Sequence, residues 1–268
     1  MSKTISIAGM GWLGLALASH LKMLGYTIKG SVTSEEKAAT LRKSGYHSIS
    51  MVLTETGIIG PVDLLLANSD YLVIMVPPGL RRHSGSDFVL KMSYLLSAVE
   101  ASEVKKVILV SSTSVYGDAQ GHVTEKDVPR PETQAGKQLF QVEQLFFTSE
   151  KIEATIVRFG GLFGGSRQPV RYLAGRTDLS NGDAPVNLIH RADCIGILTE
   201  IIKQDAFGHI FNAVLSAHPK KREYYRSIAA TMDLVPPEYS EGNSEEIYKQ
   251  VDSINLDSVL NYKFKHKL

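Results

Sequence analysis

The chain has 268 residues, of which 43% are hydrophobic and 21% charged, so it can bury a sizeable core and is not a disordered protein. Lysine and arginine together number 29, and aspartate and glutamate together number 28, which gives a formal charge of +1. The chain therefore lacks the excess of basic residues on which nonspecific nucleic-acid binding depends. The single cysteine, Cys194, excludes an internal disulfide and a cysteine-based zinc cluster, and the absence of disulfides favours a location in the reducing cytoplasm. The apolar neighbours of Cys194 indicate that it is a small buried residue.

Strand and helix patterns alternate through the first 160 residues. The predicted strands cover residues 4–8, 27–32, 47–52, 71–76, 106–111 and 154–159. The predicted helices between them cover residues 12–24, 34–44, 87–102 and 132–149. Several strands are apolar throughout, as expected where helices cover both faces of a parallel sheet. The pattern predicts an α/β fold, a doubly wound parallel sheet of the Rossmann type, over residues 1–165.

The alternation weakens after Gly164, which predicts a smaller, partly interleaved C-terminal lobe over residues 166–268. Its predicted elements are a strand at 186–189, a helix at 191–203, a strand at 209–215 and a helix at 221–232. Part of the segment from about residue 184 to 215 is expected to return to the main sheet. No apolar run reaches the roughly 18 to 20 residues that span a bilayer, so no membrane partner is expected. The apolar stretch at 5–17 could pass for a signal peptide, but its glycines indicate a strand, a turn and a helix.

A glycine motif lies between the first predicted strand and its helix. Gly9, Gly11 and Gly14 match G-x-G-x-x-G. The first glycine permits a tight turn, the second lets a diphosphate approach the backbone, and the third allows close packing of the helix. The amides at the helix start, including those of Trp12 and Leu13, would face the phosphates at the positive end of the helix dipole. The motif in this setting predicts a site for a nicotinamide dinucleotide, NADP or NAD.

The end of the second strand bears on which dinucleotide binds. Residues 31–34 read Ser-Val-Thr-Ser, without the carboxylate that commonly takes the ribose hydroxyls of NAD. Thr33 and Ser34 could instead meet a 2'-phosphate, which favours NADP. Glu35 and Glu36 follow at once and leave NAD open, although acids also suit the first turn of a helix that Ser34 caps.

Three further motifs follow later strands or precede a helix. Residues 111–117 read S-S-T-S-V-Y-G, residues 158–164 read R-F-G-G-L-F-G, and residues 187–193 read N-L-I-H-R-A-D. They resemble the S-S-x-x-V-Y-G, R-x-x-N-x-Y-G and I-H-x-x-D segments of the extended short-chain dehydrogenase/reductase superfamily, in particular the NAD-dependent epimerase/dehydratase family of nucleotide-sugar enzymes. The resemblance covers most of the chain, and it implies an oxidoreductase or epimerase fold with a sugar nucleotide or similar small molecule as substrate.

The resemblance also implies roles for individual residues. Ser112 takes the place of the catalytic Ser or Thr that hydrogen-bonds the substrate oxygen, and Ser111 and Pro77 would line the cofactor. Gly161 stands at a position that contacts substrate in relatives, although they carry asparagine there. His190 could hydrogen-bond the substrate or could order the local backbone. Arg167, Arg171 and Arg176 could clamp a diphosphate or carboxylate, or lie in solvent.

The family's acid/base pair, Y-x-x-x-K, is missing. If Glu143 is aligned with the glutamate that follows the lysine, the lysine position is Leu139 and the tyrosine position is Ala135, and neither can transfer a proton. Lys137 lies about 200° around the helix from Leu139 and is expected in solvent. Tyr116 is the nearest remaining phenol and is a substitute acid only if its geometry allows.

These observations leave three hypotheses. The first is an atypical NAD(P)-binding epimerase/dehydratase-like protein that transfers hydride at a carbinol carbon. The second is a non-catalytic NAD(P)-binding redox sensor or regulatory protein, and the third is a reductase whose base comes from the smaller lobe or the substrate. A homodimer could form through the helix at 132–149, although core packing explains the same apolar residues. No metal site is expected.

Overall fold

The computed structural model describes residues 2–79, 85–240 and 247–268. The strands, in chain order, are β1 Thr4–Ala8, β2 Thr27–Val32, β3 His47–Ser50, β4 Val52–Thr54, β5 Gly57–Ile59, β6 Tyr71–Ile74, β7 Lys106–Ser112, β8 Gly121–Val123, β9 Glu153–Phe159, β10 Gly161–Phe163, β11 Leu188–His190, β12 Ile210–Ala213 and β13 Lys249–Val251. The α-helices are α1 Trp12–Met23, α2 Glu35–Lys43, α3 Val62–Leu66, α4 Phe88–Glu100, α5 Gln134–Phe147, α6 Arg191–Gln204, α7 Lys221–Thr231 and α8 Asn255–Ser258. Short 3₁₀ helices lie at Thr113–Val115 and Pro169–Tyr172.

Seven strands form the central sheet, in the order β12-β9-β7-β6-β1-β2-β3, and every pair in it is parallel. The predicted doubly wound parallel sheet is therefore confirmed. The strand order reverses at β1, with β2 and β3 on one side and the other strands on the opposite side. In open sheets of this kind, ligands bind at the carboxyl ends of the strands beside this reversal, which here lies between β1 and β6.

Helices cover both faces of the sheet because its strands alternate apolar side chains between the two layers. Ile5 and Ile7 of β1 pack into the layer that α1 and α6 share, while Ala8 packs into the opposite layer. That opposite layer contains α4 and α5, which contact each other. Cys194 on α6 is fully buried, as predicted, and burial raises the pKa of its thiol well above the usual value.

The chain returns to the sheet after residue 166 through β12, which forms the edge beside β9. Two small parallel pairs, β10 with β11 and β8 with β13, lie outside the main sheet. The division of the chain at residue 165 stays a prediction. Among the described residues, the helices are all too short or too polar to cross a bilayer.

Candidate functional site

The loop between β1 and α1 has a form that depends on its glycines. Gly9 has a φ of +105°, a conformation that favours glycine, and a Cβ there would lie 3.0 Å from the carbonyl oxygen of Met75. A Cβ on Gly14 would lie 2.2 Å from the carbonyl oxygen of Gly9, so the third glycine lets α1 pack closely against the loop. Apart from Gly11 itself and its neighbours along the chain, no described atom lies within 4 Å of the place where Gly11 would carry a Cβ. The loop is therefore open to a ligand at its second glycine.

Backbone donors at the start of α1 are free. Within the part of the chain that the structure describes, the N–H groups of Trp12, Leu13 and Gly14 find no acceptor, and the helix has no side-chain cap. Its first turn contains no acidic residue. Unpaired N–H groups at the positive end of a helix dipole attract an anion. With the open space at Gly11, this end of the helix fits the diphosphate of a dinucleotide.

Ser31 on β2 fixes the glycine loop from the neighbouring strand. The N–H of Gly9 donates to Ser31 Oγ at 3.2 Å, and the N–H of Met10 donates to the Ser31 carbonyl at 2.8 Å. Ser31 is buried. The glycine motif does not specify this contact, although the position of Ser31 beside the loop follows from the parallel pairing of β1 with β2.

The end of β2 presents hydroxyl groups rather than a carboxylate. Thr33 is exposed, and Ser34 caps α2 by accepting the N–H of Lys37 at 3.4 Å. The Ser34 hydroxyl keeps its own proton for a ligand. Glu35 forms an ion pair with Arg42 on the same helix. Glu35 and Glu36 lie in the first turn of α2, directly after the Ser34 cap, as predicted.

β7 ends in Ser111 and Ser112, and of these two serines only Ser112 has its hydroxyl available at the carboxyl edge of the sheet. Ser112 Oγ accepts the N–H of Ser114 at 3.2 Å and keeps its proton for a ligand. Ser111, predicted to line the cofactor, is 8% exposed and its hydroxyl donates to Glu143 Oε1 at 2.5 Å. The Ser111 side chain therefore points into the core, and only its main chain can face a ligand. Pro77 is exposed just beyond β6, at the same edge.

A buried ion pair lies directly beneath this edge. Arg158 on β9 and Glu143 on α5 are each 1% exposed. Arg158 Nη2 donates to Glu143 Oε2 at 2.7 Å, Arg158 Nε donates to both carboxylate oxygens at 3.1 Å, and Arg158 Nη1 donates to the Tyr116 hydroxyl at 2.7 Å. Burial acts to lower the pKa of Arg158, but the hydrogen bonds and charge of Glu143 outweigh it and the pKa is raised. Sequence reasoning missed this pair, although both residues lie in its motifs.

Tyr116 belongs to the same buried network. Its hydroxyl donates to the Thr124 carbonyl at 2.8 Å and lies 3.2 Å from the Asn212 amide, and the residue is 1% exposed. Burial raises the pKa of Tyr116. The hydroxyl would have to leave Arg158 and the core to reach a ligand, so the geometry gives no support to Tyr116 as a substitute acid.

The helix that carries the acid/base pair in relatives offers no replacement for it. Leu139 is 8% exposed and packs in the hydrophobic layer of α4 and α5. Ala135 is half-buried, and Lys137 is exposed, as predicted. Glu143 is the one buried ionisable side chain among these four residues, and it forms an ion pair with Arg158. A proton acceptor for this site would have to come from elsewhere.

Besides Ser112, three other residues were predicted to contact substrate, and they are only partly brought together. Gly161 begins β10 and His190 ends β11, the strand paired with it. A Cβ on Gly161 would lie 2.6 Å from Leu188 Cδ2, so the Leu188 side chain would have to shift for a larger residue to fit there. Arg171 is exposed on the 3₁₀ helix. His190 caps α6, with its Nδ1 accepting the N–H of Ala192 at 3.3 Å.

His190 also meets the C-terminal tail. Its ring stacks on His266 with the ring centroids 3.9 Å apart. Asp193, fully buried, accepts hydrogen bonds from the Tyr262 hydroxyl, the N–H of Lys265 and both the N–H and Nδ1 of His266, at 2.8 to 3.2 Å. Two imidazoles and a carboxylate this close could surround a metal ion, but the tail already uses the acceptor sites of the carboxylate. These contacts support the alternative in which His190 orders the local backbone.

Sequence comparison relates the chain to a protein of Escherichia coli. No protein-family model matches the chain. Protein YeeZ of Escherichia coli K12 is 32% identical over 266 residues, which is 98% of this chain and 96% of that protein.

Solved structures share the fold at low identity. UDP-N-acetylglucosamine 4-epimerase from Bacillus cereus has a TM-score of 0.77 at 17% identity, over 99% of this chain and 95% of that one. A short-chain dehydrogenase/reductase superfamily protein from Agrobacterium tumefaciens, solved with bound NAD, has a TM-score of 0.77 at 16% identity, over 98% and 93%. UDP-glucose 4-epimerase from Thermotoga maritima, solved with UDP-glucose, has a TM-score of 0.76 at 14% identity, over 98% and 94%. The chain thus belongs to the family of E. coli protein YeeZ, with the fold of the NAD-dependent epimerase/dehydratase proteins of the short-chain dehydrogenase/reductase superfamily.

Proposed function

We propose that this protein binds NADP or NAD on the loop between β1 and α1. The observation that carries the proposal is the set of free N–H groups of Trp12, Leu13 and Gly14 beside the open space at Gly11. The bound NAD in the A. tumefaciens structure supports it. The hydroxyls at the end of β2, with no carboxylate among residues 31–34, favour NADP over NAD.

The proposed substrate is a sugar nucleotide or a similar polar small molecule above the carboxyl ends of β7 and β9. The UDP-glucose of the T. maritima structure supports this class. The cofactor would supply hydride acceptance and donation at its nicotinamide. Ser112 would donate its free proton in a hydrogen bond to the oxygen of the reacting carbon. Oxidation of the substrate carbon also releases the proton of the substrate hydroxyl group. Leu139 and Ala135 cannot accept this proton, so a substrate group or a side chain of the C-terminal half would accept it.

A second candidate function is a redox sensor that binds the cofactor without catalysis. The burial of Tyr116 and the apolar residues at the family's acid/base positions favour it. In either case, the balanced charge and the single buried cysteine support a cytoplasmic protein whose partner is a small molecule rather than nucleic acid. A homodimer through α5 stays a prediction.

Two measurements separate these functions. Trp12 is the only tryptophan of the chain, so its fluorescence reports binding at the loop. We expect NADP and NAD to change it and to raise the melting temperature. No response to either would refute the binding site. Sugar nucleotides incubated with oxidised cofactor should then yield reduced cofactor in the wild type and in the control Ser44→Ala, at the end of α2, but not in Ser112→Ala. Binding without turnover for any sugar nucleotide would instead support the sensor.

A further inference from the structure

Two arginines from the C-terminal half flank the tryptophan of the glycine loop. Trp12 is the first residue of α1. The guanidinium carbon of Arg191 lies 4.9 Å from the centroid of the Trp12 ring, and that of Arg167 lies 5.6 Å from it. Cations at these distances are attracted to the face of an indole ring. The ring therefore holds both guanidinium groups beside the start of α1.

The fold fixes both arginines at this place. α1 and α6 pack against each other on one face of the sheet, and Arg191 is the first residue of α6. Arg167 lies in a tight turn in which Gly164 and Arg167 exchange backbone hydrogen bonds of 2.9 and 3.2 Å. A Cβ on Gly165 would lie 3.1 Å from Arg191 Nη2, so the turn also lies against the Arg191 guanidinium.

Neither guanidinium is neutralised by a protein carboxylate. Within residues 2–79, 85–240 and 247–268, Arg167 and Arg191 form no ion pair and donate no side-chain hydrogen bond. Arg158 and Arg222 differ, because each pairs with an acidic residue. Two unpaired guanidinium groups thus lie near the free N–H groups of α1. The paired N–H donors of a guanidinium group match the spacing of phosphate oxygens.

We propose that Arg167 and Arg191 clamp the diphosphate of the bound cofactor from the side opposite the glycine loop, with Trp12 as the platform that aligns them. The proposal rests on the proposed function, in which the glycine loop binds a dinucleotide. It adds two arginines of the C-terminal half to the residues that bind the cofactor. Cofactor binding would then tie the turn after β10 and the start of α6 to the start of α1. The stacked ring explains why its fluorescence should respond to binding.

The test compares cofactor affinity in matched variants by calorimetry. Arg191→Met and Arg167→Met keep side-chain length and remove the charge, and Arg226→Met, at an exposed site on α7, is the control. We expect each of the first two to raise the Kd of NADP and NAD about tenfold, and the pair together by about a hundredfold. Arg191→Lys, which keeps the charge but loses the fork, should lie between the wild type and Arg191→Met. Melting temperatures of the ligand-free variants show whether each has folded.

A second titration identifies the diphosphate. UDP-glucose is titrated in the presence of saturating NAD. If the arginine variants weaken UDP-glucose alone and leave NADP and NAD unchanged, the clamp holds the substrate diphosphate and the proposal is wrong. Unchanged affinity for all three ligands in folded variants also overturns it, while the proposed function stands. If the wild type itself binds neither NADP nor NAD, the proposed function fails first.

Discussion

Replacing Arg158 by leucine should strongly destabilise the protein. The substitution removes three hydrogen bonds to Glu143 and one to the Tyr116 hydroxyl, and it leaves the Glu143 carboxylate, 1% exposed, with Ser111 as its remaining donor. Breaking one partner of a buried ion pair costs about 3 to 5 kcal/mol, because the other charge stays buried. A loss of this size is a large part of the roughly 5 to 15 kcal/mol by which folded proteins are stable.

Urea denaturation followed by circular dichroism measures this loss. The double variant Glu143→Leu with Arg158→Leu should recover most of it, since two apolar residues leave no buried charge. The control Arg226→Leu, at an exposed position, should change the free energy of unfolding by less than about 0.5 kcal/mol. A cost below about 1 kcal/mol for Arg158→Leu, or a double variant no better than the single, would refute the reasoning.

Three further outcomes are expected. Gly14→Ala should lose about 1 to 3 kcal/mol in urea denaturation, because its Cβ would lie 2.2 Å from the Gly9 carbonyl oxygen. Gly11→Ala, whose Cβ meets open space, should keep its stability within about 1 kcal/mol while its affinity for NADP falls; equal affinity would argue against phosphate contact there. Burial and the charge of His266 lower the pKa of His190 below its usual value of 6.5. The unfolded chain therefore binds a proton at this imidazole at a higher pH than the folded protein does. As a result, the stability of the fold decreases as the pH falls below 6.5. His190→Asn, which keeps a cap, should lessen this fall in thermal melts, and an unchanged pH dependence would exclude His190 as its source.

The sequence predicts most of this fold because its signals are local. Each strand and helix that was predicted between residues 4 and 159 is present, with its ends within two residues of the predicted ones. The hairpin of β4 and β5 and the short helix α3 were not predicted, although Gly57, with a φ of +136°, directly follows the two-residue turn of the hairpin. The pairing of β8 with β13 joins segments more than a hundred residues apart, and no local pattern specifies such a contact.

In the candidate site, too, features set by local sequence were predicted, and features set by tertiary packing were not. The glycine spacing directly predicts the loop at Gly9, because backbone shape depends on residue type. The directions of side chains do not follow from motifs, so Ser111 and Tyr116 were expected near a ligand and instead donate to core partners. The stacking of Arg167 and Arg191 on Trp12 depends on tertiary packing, and no spacing in the sequence reveals it.

The proposed function depends on binding of the diphosphate of a nicotinamide dinucleotide by the free N–H groups at the start of α1. The most direct measurement follows the backbone amide signals of ¹⁵N-labelled protein by NMR during a titration with NADP and then NAD. We expect the signals of Trp12 and Leu13 to shift downfield and to saturate with the ligand, while the amide signals at the end of α2 stay in place. Unmoved signals for Trp12 and Leu13 at saturating concentrations of both dinucleotides would contradict it.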